Sequence, residues 1–519
     1  MENTIKKITI VGGGTAGWLT AGIIAAEHQS NTDTGIQITL IESPDVKLIG
    51  VGEGTWPTMR TSLQKIGISE SDFIQACDAS FKQGSKFIGW NNGEDNDAYY
   101  HPFVLPQGFG RANLVPFWQK SSQNLTFAEA VSVQPHLNPQ HYAPKQQSTP
   151  EYAAVASYGY HLDAGKFAKL LQNHCVEKMG IKYVSAHIIG VNSAPNGDIA
   201  SVQTKTQGEI TGDIFIDCSG SASLLLGEHY QIPFISKQQF LFNDTALAVQ
   251  IPYPESNSPI ASSTIATAQT AGWIWDIGLP TRRGIGHVYS SAHIEKSNAE
   301  LLLRQYIAPS IGQAASEQAE VRKIIFTPGH REKFWHKNCV AVGMAAGFIE
   351  PLEASALAMV ELSAQMISDE LPASHNIMSI TAKRFNDRFN YNWDRIIDFL
   401  KLHYVLSQRR DSDYWLDNCR EESLPERLQE LLELWRYQVP SASDFNQGSE
   451  IFPAASYQYI LYGMGFKTQH RATSKSNESD AMTSFYFQQN SQMVNQYKNA
   501  LPSNRQLIDH IKAFGLPRN

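Results

Sequence analysis

Residues 8–17 read Ile-Thr-Ile-Val-Gly-Gly-Gly-Thr-Ala-Gly, an apolar strand that runs straight into a glycine loop. Gly12, Gly14 and Gly17 stand at GxGxxG spacing. The first permits a tight turn, the second lets the backbone approach a pyrophosphate, and the third lets helix pack on strand. A helix that starts at Thr15 and Ala16 aims its N-terminal N–H groups at phosphate. The apolar strand over 36–41 then ends in Glu42, followed by Ser43, and an acid there accepts from ribose hydroxyls. Strand, glycines, helix, strand and terminal acid in this order predict a dinucleotide site. The alternative is a glycine turn that only packs closely.

The rest of the composition narrows the class. A chain of 519 residues is too long for one simple core, and two or three domains are expected. The net charge of −8 is spread without long runs, and no basic stripe is visible, which argues against a nucleic-acid partner. No apolar run reaches the ~18 residues of a membrane span, and the first strand begins too early to leave room for a signal peptide. The five cysteines, Cys77, Cys175, Cys218, Cys339 and Cys419, lack CxxC spacing, so neither a zinc site nor a disulfide framework is suggested. A cytoplasmic protein with reduced thiols and no bound metal is the expectation.

Further along, residues 47–54 form a second glycine-dense loop, with Pro57 suited to the first turn of a helix. Residues 91–150 read as loops and short strands, with a mobile excursion at 140–149. Residues 161–177 have helical periodicity, with Phe167, Leu170 and Leu171 on one side. Strands are expected over 181–191, 199–204 and 210–217, the last ending in Asp217 beside Gly220, as FAD proteins do near the ribityl chain. Residues 239–291 are mostly strand and turn. A strand at 338–342 leads into small residues from Gly343 to Gly347. From 377 onward the chain is mainly helical, with Ile396, Phe399, Leu400 and His403 on one face. That histidine reads as a hydrogen-bonded interfacial residue, because no second metal ligand stands at a usable spacing. Residues 467–480 read as an exposed polar loop. Gly284-Ile-Gly286 and Gly463-Met-Gly465 lack strand-then-helix context. One dinucleotide is therefore expected, FAD, with electrons arriving from a transient NAD(P)H or with flavin reduced elsewhere.

Several motifs together resemble the flavin-dependent tryptophan halogenases. They are residues 12–18 (Gly-Gly-Gly-Thr-Ala-Gly-Trp), 49–55 (Ile-Gly-Val-Gly-Glu-Gly-Thr), Ser80-Phe-Lys82 with 86–90 (Lys-Phe-Ile-Gly-Trp), His101-Pro-Phe103, 273–277 (Trp-Ile-Trp-Asp-Ile) and 348–355 (Phe-Ile-Glu-Pro-Leu-Glu-Ala-Ser). The resemblance runs in order from residue 5 to about 440. It implies an α/β FAD-binding fold of the hydroxybenzoate-hydroxylase/glutathione-reductase-like type, with an inserted mostly β substrate region and a helical C-terminal region. The expected division is 1–90, 151–235 and 326–372 for FAD and halide, 91–150 and 236–325 for substrate, and 373–519 for the helical part. It also implies the chemistry. Reduced FAD (FADH2) and oxygen convert chloride or bromide to hypohalous acid, which is used at a lysine in a separate chamber.

By this resemblance Lys82 is the catalytic lysine. Pattern alone reads it as a surface lysine on a helix, with Lys86 one turn away. Glu353 matches the carboxylate that works with that lysine, whereas Glu350 reads as a helix-N-terminal acid. Ser355 and Ala356 match the positions whose backbone N–H groups hold halide. Leu357, Gly343, Ile49, Val51, Glu53 and Gly54 join Gly12–Gly17, Glu42 and Ser43 as cofactor residues. Trp273 and Trp275, two apart on a strand, match the residues that stand between flavin and substrate; the plain alternative is a pair of core aromatics. His101, Phe103 and Phe452 match the substrate chamber.

Ala354 replaces a serine of the family pattern, and Gly278 replaces a proline. The family's clamp for the amino-acid end of tryptophan, a tyrosine pair, an acid and a tryptophan, corresponds to a shorter stretch here, 444–457. Phe452 stands about where the capping tryptophan would be, and Glu450 is present. The expected substrate is therefore an indole-like or other electron-rich small aromatic. The expected partner is a separate flavin reductase, and a homodimer is compatible. The alternatives are a flavin-dependent aromatic hydroxylase and a flavin-binding protein without catalysis.

Overall fold

A computed structural model describes residues 4–45, 52–94, 96–121, 125–445, 450–471 and 476–518. Contacts divide the chain into two compact units. One comprises Met1–Ala79, Leu162–Lys237 and Phe326–Trp393, and the other Ser80–His161, Gln238–Ile325 and Asp394–Asn519.

The first unit is built on a six-stranded sheet in the order Trp335–His336, Cys339–Ala341, Ile214–Asp217, Lys7–Val11, Gln37–Glu42, Lys182–Ser185. The first strand lies inside the sheet and pairs in parallel with Ile214–Asp217 on one side and Gln37–Glu42 on the other. A parallel strand covered on both faces reads as a continuous apolar run, which is why Ile-Thr-Ile-Val carries no alternation. The helix Thr15–Glu27 is built from Gly, Ala, Ile and Leu all round and is buried along most of its length. It packs against the helices Ser355–Asp369 and Ala164–Lys178.

Three sequence expectations change in detail here. The strand expected over 210–217 is two, Gly208–Thr211 and Ile214–Asp217, because Asp213 turns the chain and accepts from the main-chain N–H groups of Lys6 and Lys7 at 2.7 and 2.8 Å. The strand over 181–191 is likewise Lys182–Ser185 and Ile188–Ser193. The helix expected from 161 starts at Ala164, with Asp163 as its N-cap accepting from the Lys166 N–H at 3.0 Å. His161 belongs instead to the strand Gly159–Leu162.

The second unit carries a seven-stranded sheet in the order Arg322–Ile325, Thr245–Pro252, Arg282–Tyr289, Gly272–Gly278, Thr264–Gln269, Gly84–Ile88, Ala98–Pro102. Leu247, Val249 and Ile251 project at period two onto Ala299, Leu303 and Ile307 of the helix Lys296–Ile311. Ile274 joins that face. Its neighbours Trp273 and Trp275 therefore project from the opposite face, as expected for positions two apart. Gly286 lies directly opposite Trp275 in the ladder, and a Cβ there would run into the indole. The Gly284-Ile-Gly286 pair thus makes room for a tryptophan on a strand.

The segment 91–150 is more helical than loops and short strands. Its described residues contain the strand Ala98–Pro102 and the helices Leu114–Lys120, Phe127–Val131 and Gln134–Leu137. Nor is 140–149 a mobile excursion. The Tyr142 carbonyl accepts from Gln83 Nε2 and Ser262 Oγ, both at 2.7 Å, and Lys145 is fully buried. The C-terminal part is helical as expected, with Glu426–Trp435, Ala454–Gly463, Ser476–Ala500 and Asn504–Phe514 among its helices. The polar loop expected over 467–480 is shorter. Thr468 is buried and donates to the Trp435 carbonyl at 2.8 Å, and a helix is under way from Ser476. Among the described residues no helix is long and apolar enough to cross a membrane.

Candidate active site

The nucleotide end of the first unit is a backbone cradle. Gly12 has φ +115°, where a side chain is strained, and a Cβ there would also strike the Cys218 carbonyl. A Cβ at Gly17 would strike the Gly12 carbonyl, so helix and turn lie in direct backbone contact. Gly14 caps the helix Thr15–Glu27 in extended conformation with no side-chain hydrogen bond, which leaves its first N–H groups to an external acceptor. The Glu42 side chain lies against Gly13, so only glycine fits between the acid and the loop. Burial raises the Glu42 pKa, and Gln172 Nε2 donates to its carboxylate at 3.2 Å. Ser43 Oγ is hydrogen-bonded to His187 Nδ1 at 3.1 Å.

Glu53 and Gly54 form a short strand. The protein around Glu53 pushes its carboxyl up to about 7, and the nearby Asp163 charge adds to the effect. Ile49 and Val51 lie outside the described residues. Gly343, at φ +70°, opens a short helical turn whose backbone approaches Ala16 closely. These glycine contacts, the uncapped helix and the acid at the strand end fit the diphosphate and ribose of FAD. Asp217 ends its strand at the acid-plus-glycine junction expected there. Its carboxylate accepts from Ser219, from the main-chain N–H groups of Leu225 and Leu226 at 2.9 Å each, and from Ser223 Oγ, so it is a buried local cap.

The acidic motif of the same unit has an unusual backbone. Glu353 (φ 64°, ψ 5°) and Ala354 (φ 56°, ψ 42°) are consecutive non-glycine residues in the left-handed region. Each costs about 1 kcal/mol or more, and alanine has no side-chain hydrogen bond to relieve it. The result is an abrupt entry into the helix Ser355–Asp369, whose N-cap Ala354 supplies no side-chain acceptor. Ser355, Ala356 and Leu357 form its first turn, where main-chain donors and the helix dipole favour an anion. Glu350 is buried and lies ahead of this turn, not in it.

Two features here carry no sequence signal of their own. Trp56 Nε1 donates to the Glu353 carbonyl at 2.7 Å. One helical turn further on, Thr58 and Ser62 donate to the buried Glu361 carboxylate at 3.1 and 2.5 Å. Burial pushes the Glu361 carboxyl up to about 7 against these two bonds. The segment 56–62 thus holds the helix at its first residues and again two turns along. A Trp-Pro-Thr run gives no hint of a partner three hundred residues away.

The lysine lies in the second unit. Lys82 is on the strand Ser80–Lys82 and only 1% exposed, which overturns the surface-helix alternative. Its Nζ stands 5.3 Å from the centroid of the Phe103 ring. Lys86 is on the neighbouring strand Gly84–Ile88 and half-buried, with Tyr100 beneath it and its pKa lowered by burial. His101, at the end of the strand Ala98–Pro102, bonds through Nε2 to Ser456 Oγ at 2.9 Å. Phe452 stacks on Phe399 with centroids 3.7 Å apart and stands 6.5 Å from His101. Residues from three distant stretches therefore build one wall of aromatic rings in the unit that carries the lysine.

Trp273 and Trp275 are buried, 6.4 Å apart, and Trp273 packs on Trp90 at 6.1 Å. Rings continue from Trp90 through His403 and Phe399 to Phe452. His403 is the interfacial histidine expected, with Nδ1 2.7 Å from Tyr99 Oη.

A glutathione-reductase-like nucleotide cradle in one unit, and a buried lysine with an aromatic wall in the other, define a flavoprotein that acts on small molecules. Residues 7–479 match the sequence model of the tryptophan halogenases. The chain is 31% identical over 479 residues to 7-chloro-L-tryptophan 6-halogenase KtzR of Kutzneria sp., a match covering 88% of this chain and 90% of that protein. Its fold matches a tryptophan halogenase from Shewanella frigidimarina with a TM-score of 0.96 and 49% identity over 99% of both chains. BrvH, a flavin-dependent halogenase from Brevundimonas sp., matches with a TM-score of 0.84 and 30% identity over 98% of this chain and 99% of that one. The chain belongs to the tryptophan halogenase family and is a flavin-dependent aromatic halogenase, an oxidoreductase. Enzymes of this family use FAD and halide and depend on a separate flavin reductase.

Proposed function

We propose that this enzyme takes FADH2 from a separate reductase and halogenates an indole-like aromatic through Lys82. The observation that carries the reading is the burial of Lys82 beside the Phe103 ring. A lysine is rarely withdrawn from water without a task.

FAD is held by Gly12, Gly14, Thr15, Ala16, Gly17, Glu42, Ser43, Glu53, Gly54, Gly343 and Leu357, together with Ile49 and Val51. Held there in its reduced form, the flavin would supply, with oxygen, the two-electron oxidant that turns chloride or bromide into hypohalous acid. The main-chain N–H groups of Ser355 and Ala356 hold the halide. Trp273 and Trp275 keep the substrate ring from direct oxygenation. Phe103 and Phe452 hold the ring by its faces, and His101, fixed by Ser456, lines its edge. Lys82, as an ammonium, hydrogen-bonds the oxygen of hypohalous acid. The halogen–carbon bond forms as the oxygen–halogen bond breaks, and the departing hydroxide takes a proton to leave as water. Glu353 stabilises the cationic ring and accepts the proton lost from its carbon.

The test supplies the purified enzyme with FAD, a flavin reductase, NADH, oxygen and bromide, and screens an aromatic panel by the bromine isotope pattern in mass spectrometry. Brominated product that vanishes in Lys82→Met, while flavin oxidation continues, supports the reading. A hydroxylated product, or bromination that survives Lys82→Met, overturns it.

A further inference from the structure

His161 is a buried histidine that the reaction as proposed does not use. It lies on the strand Gly159–Leu162, antiparallel to Ser80–Lys82, with Ser80 opposite His161 and Lys82 opposite Gly159. Residues opposite one another in such a ladder share a face, as do residues two apart on one strand. Ser80, Lys82 and His161 therefore project from the same face, and the position across from Lys82 is a glycine with no side chain to intervene.

The polar neighbours on that face are already committed. Ser80 Oγ donates to the Gly278 carbonyl at 2.5 Å. His161 Nε2 is 2.8 Å from Thr264 Oγ1. Its Nδ1 is buried and has no hydrogen-bond partner among the described residues. A buried ring nitrogen left open is costly unless something fills it. A buried, unmet ring nitrogen on the face that carries an ammonium is a place where proteins put an internal water.

We propose that His161 is a positioning residue for Lys82: with Nε2–H given to Thr264, its Nδ1 lone pair accepts a hydrogen bond relayed from the Lys82 ammonium through one buried water. The inference rests on the reading of Lys82 given above. A neutral imidazole suits this place, because an imidazolium would repel the ammonium. Burial, and then the Lys82 charge, hold His161 well below the usual histidine range. The Lys82 charge acts on it, and Ser80 and Thr264 are its polar neighbours. A neutral acceptor favours the charged lysine, so it keeps Lys82 an ammonium to higher pH.

Two measurements on the full-length, FAD-loaded enzyme test this. With histidine labelled by ¹⁵N, and the His161 signals assigned by their loss in His161→Asn, the Nδ1 resonance should move downfield in Lys82→Met as its hydrogen bond is lost. An unmoved resonance overturns the inference. In bromination, His161→Leu should bring the alkaline limb of the pH–kcat profile down by about one unit, and His161→Asn, whose amide can still accept, by less. A loss of rate equal at all pH, with the limb in place, marks a structural role and also overturns it. If His161→Leu does not fold, His161→Asn and the resonance decide. The resonance needs no turnover. Abolished bromination in Lys82→Met with an unmoved His161 signal therefore rejects the inference alone, whereas bromination surviving Lys82→Met rejects the reading beneath it.

Discussion

The indole N–H of Trp56 donates to the main-chain oxygen of Glu353 at 2.7 Å, and Glu353 is the first of two left-handed residues that lead into the helix Ser355–Asp369. Two strained residues in a row persist only when their surroundings fix them. Ala354 offers no side-chain hydrogen bond, and the Trp56 bond ties that turn to the segment 56–62. Trp56→Phe keeps an aromatic ring and removes the donor. It should lower stability by about 1 kcal/mol. It should also raise the halide KM by roughly tenfold at most, as the Ser355 and Ala356 N–H groups lose their fixed direction. Steady-state bromide titration and thermal denaturation check both, and an unchanged bromide KM would remove Trp56 from the halide turn.

Glu361 gives that region a pH dependence whose sign can be worked out. Its carboxyl is raised to about 7 in the folded protein from an ordinary 4.5. The native state therefore holds a proton that the unfolded chain has lost, and stability falls as pH rises from about 4.5 to 7. Glu361→Gln removes the buried charge and leaves an amide that Thr58 and Ser62 can still meet. The variant should gain up to about 3 kcal/mol over the parent at pH 8 and nothing at pH 4. Denaturant unfolding at the two pH values reads the difference. A variant less stable than the parent at pH 8 would show that the carboxylate is ionised and well solvated in place.

Gly17 tests the nucleotide cradle. A methyl group there would strike the Gly12 carbonyl, so the helix must move off the strand or the turn must open. Either shift displaces the N–H groups aimed at the diphosphate. Gly17→Ala should weaken FAD binding by at least about tenfold, read from flavin fluorescence, with far-UV circular dichroism retained. Full affinity in a folded Gly17→Ala variant would place the diphosphate elsewhere.

The nucleotide half was legible because it depends on order along the chain. Strand, Gly12, Gly17 and Glu42 lie within 36 residues and form one parallel unit. Lys82 needs the family pattern, since a lysine on pattern alone reads as solvated, while the structure buries it on a strand paired with Gly159–Leu162. His161 was misread as the start of a helix because apolar periodicity runs through it, while Asp163 sets the true boundary by capping. Asp217 ends its strand as the sequence predicts, but its role as a cap is not legible there, because main-chain N–H groups eight and nine residues further on turn back onto it. Trp56 and Ser456 take their roles from partners some three hundred residues away. No local period or spacing encodes such a pair.

The substrate wall bears on what the enzyme accepts. Ser456 holds His101, and Phe399 supports Phe452 by a close stack, so this wall presents ring faces and one fixed imidazole. The stretch that grips the amino-acid end of tryptophan in the family pattern is built differently. Asp444 spends its carboxylate on Trp435 Nε1 and the Ser441 N–H, both at 2.9 Å, and Tyr457 packs among Phe399, Phe445 and Trp435. An acid so engaged is poorly placed to grip the ammonium of a zwitterion as well. Burying the ammonium and carboxylate of free tryptophan against such rings would leave both groups poorly solvated. Indole should therefore have a kcat/KM at least about tenfold above that of free tryptophan, since unmet polar groups cost one to several powers of ten in discrimination. Ser456→Ala should raise the KM for indole by releasing the imidazole, and leave the bromide KM in place. Competition between indole and tryptophan at equal concentration, read by brominated product, measures the ratio directly. Preference for tryptophan would mean that a clamp for its amino-acid end is assembled from other residues than 444–457.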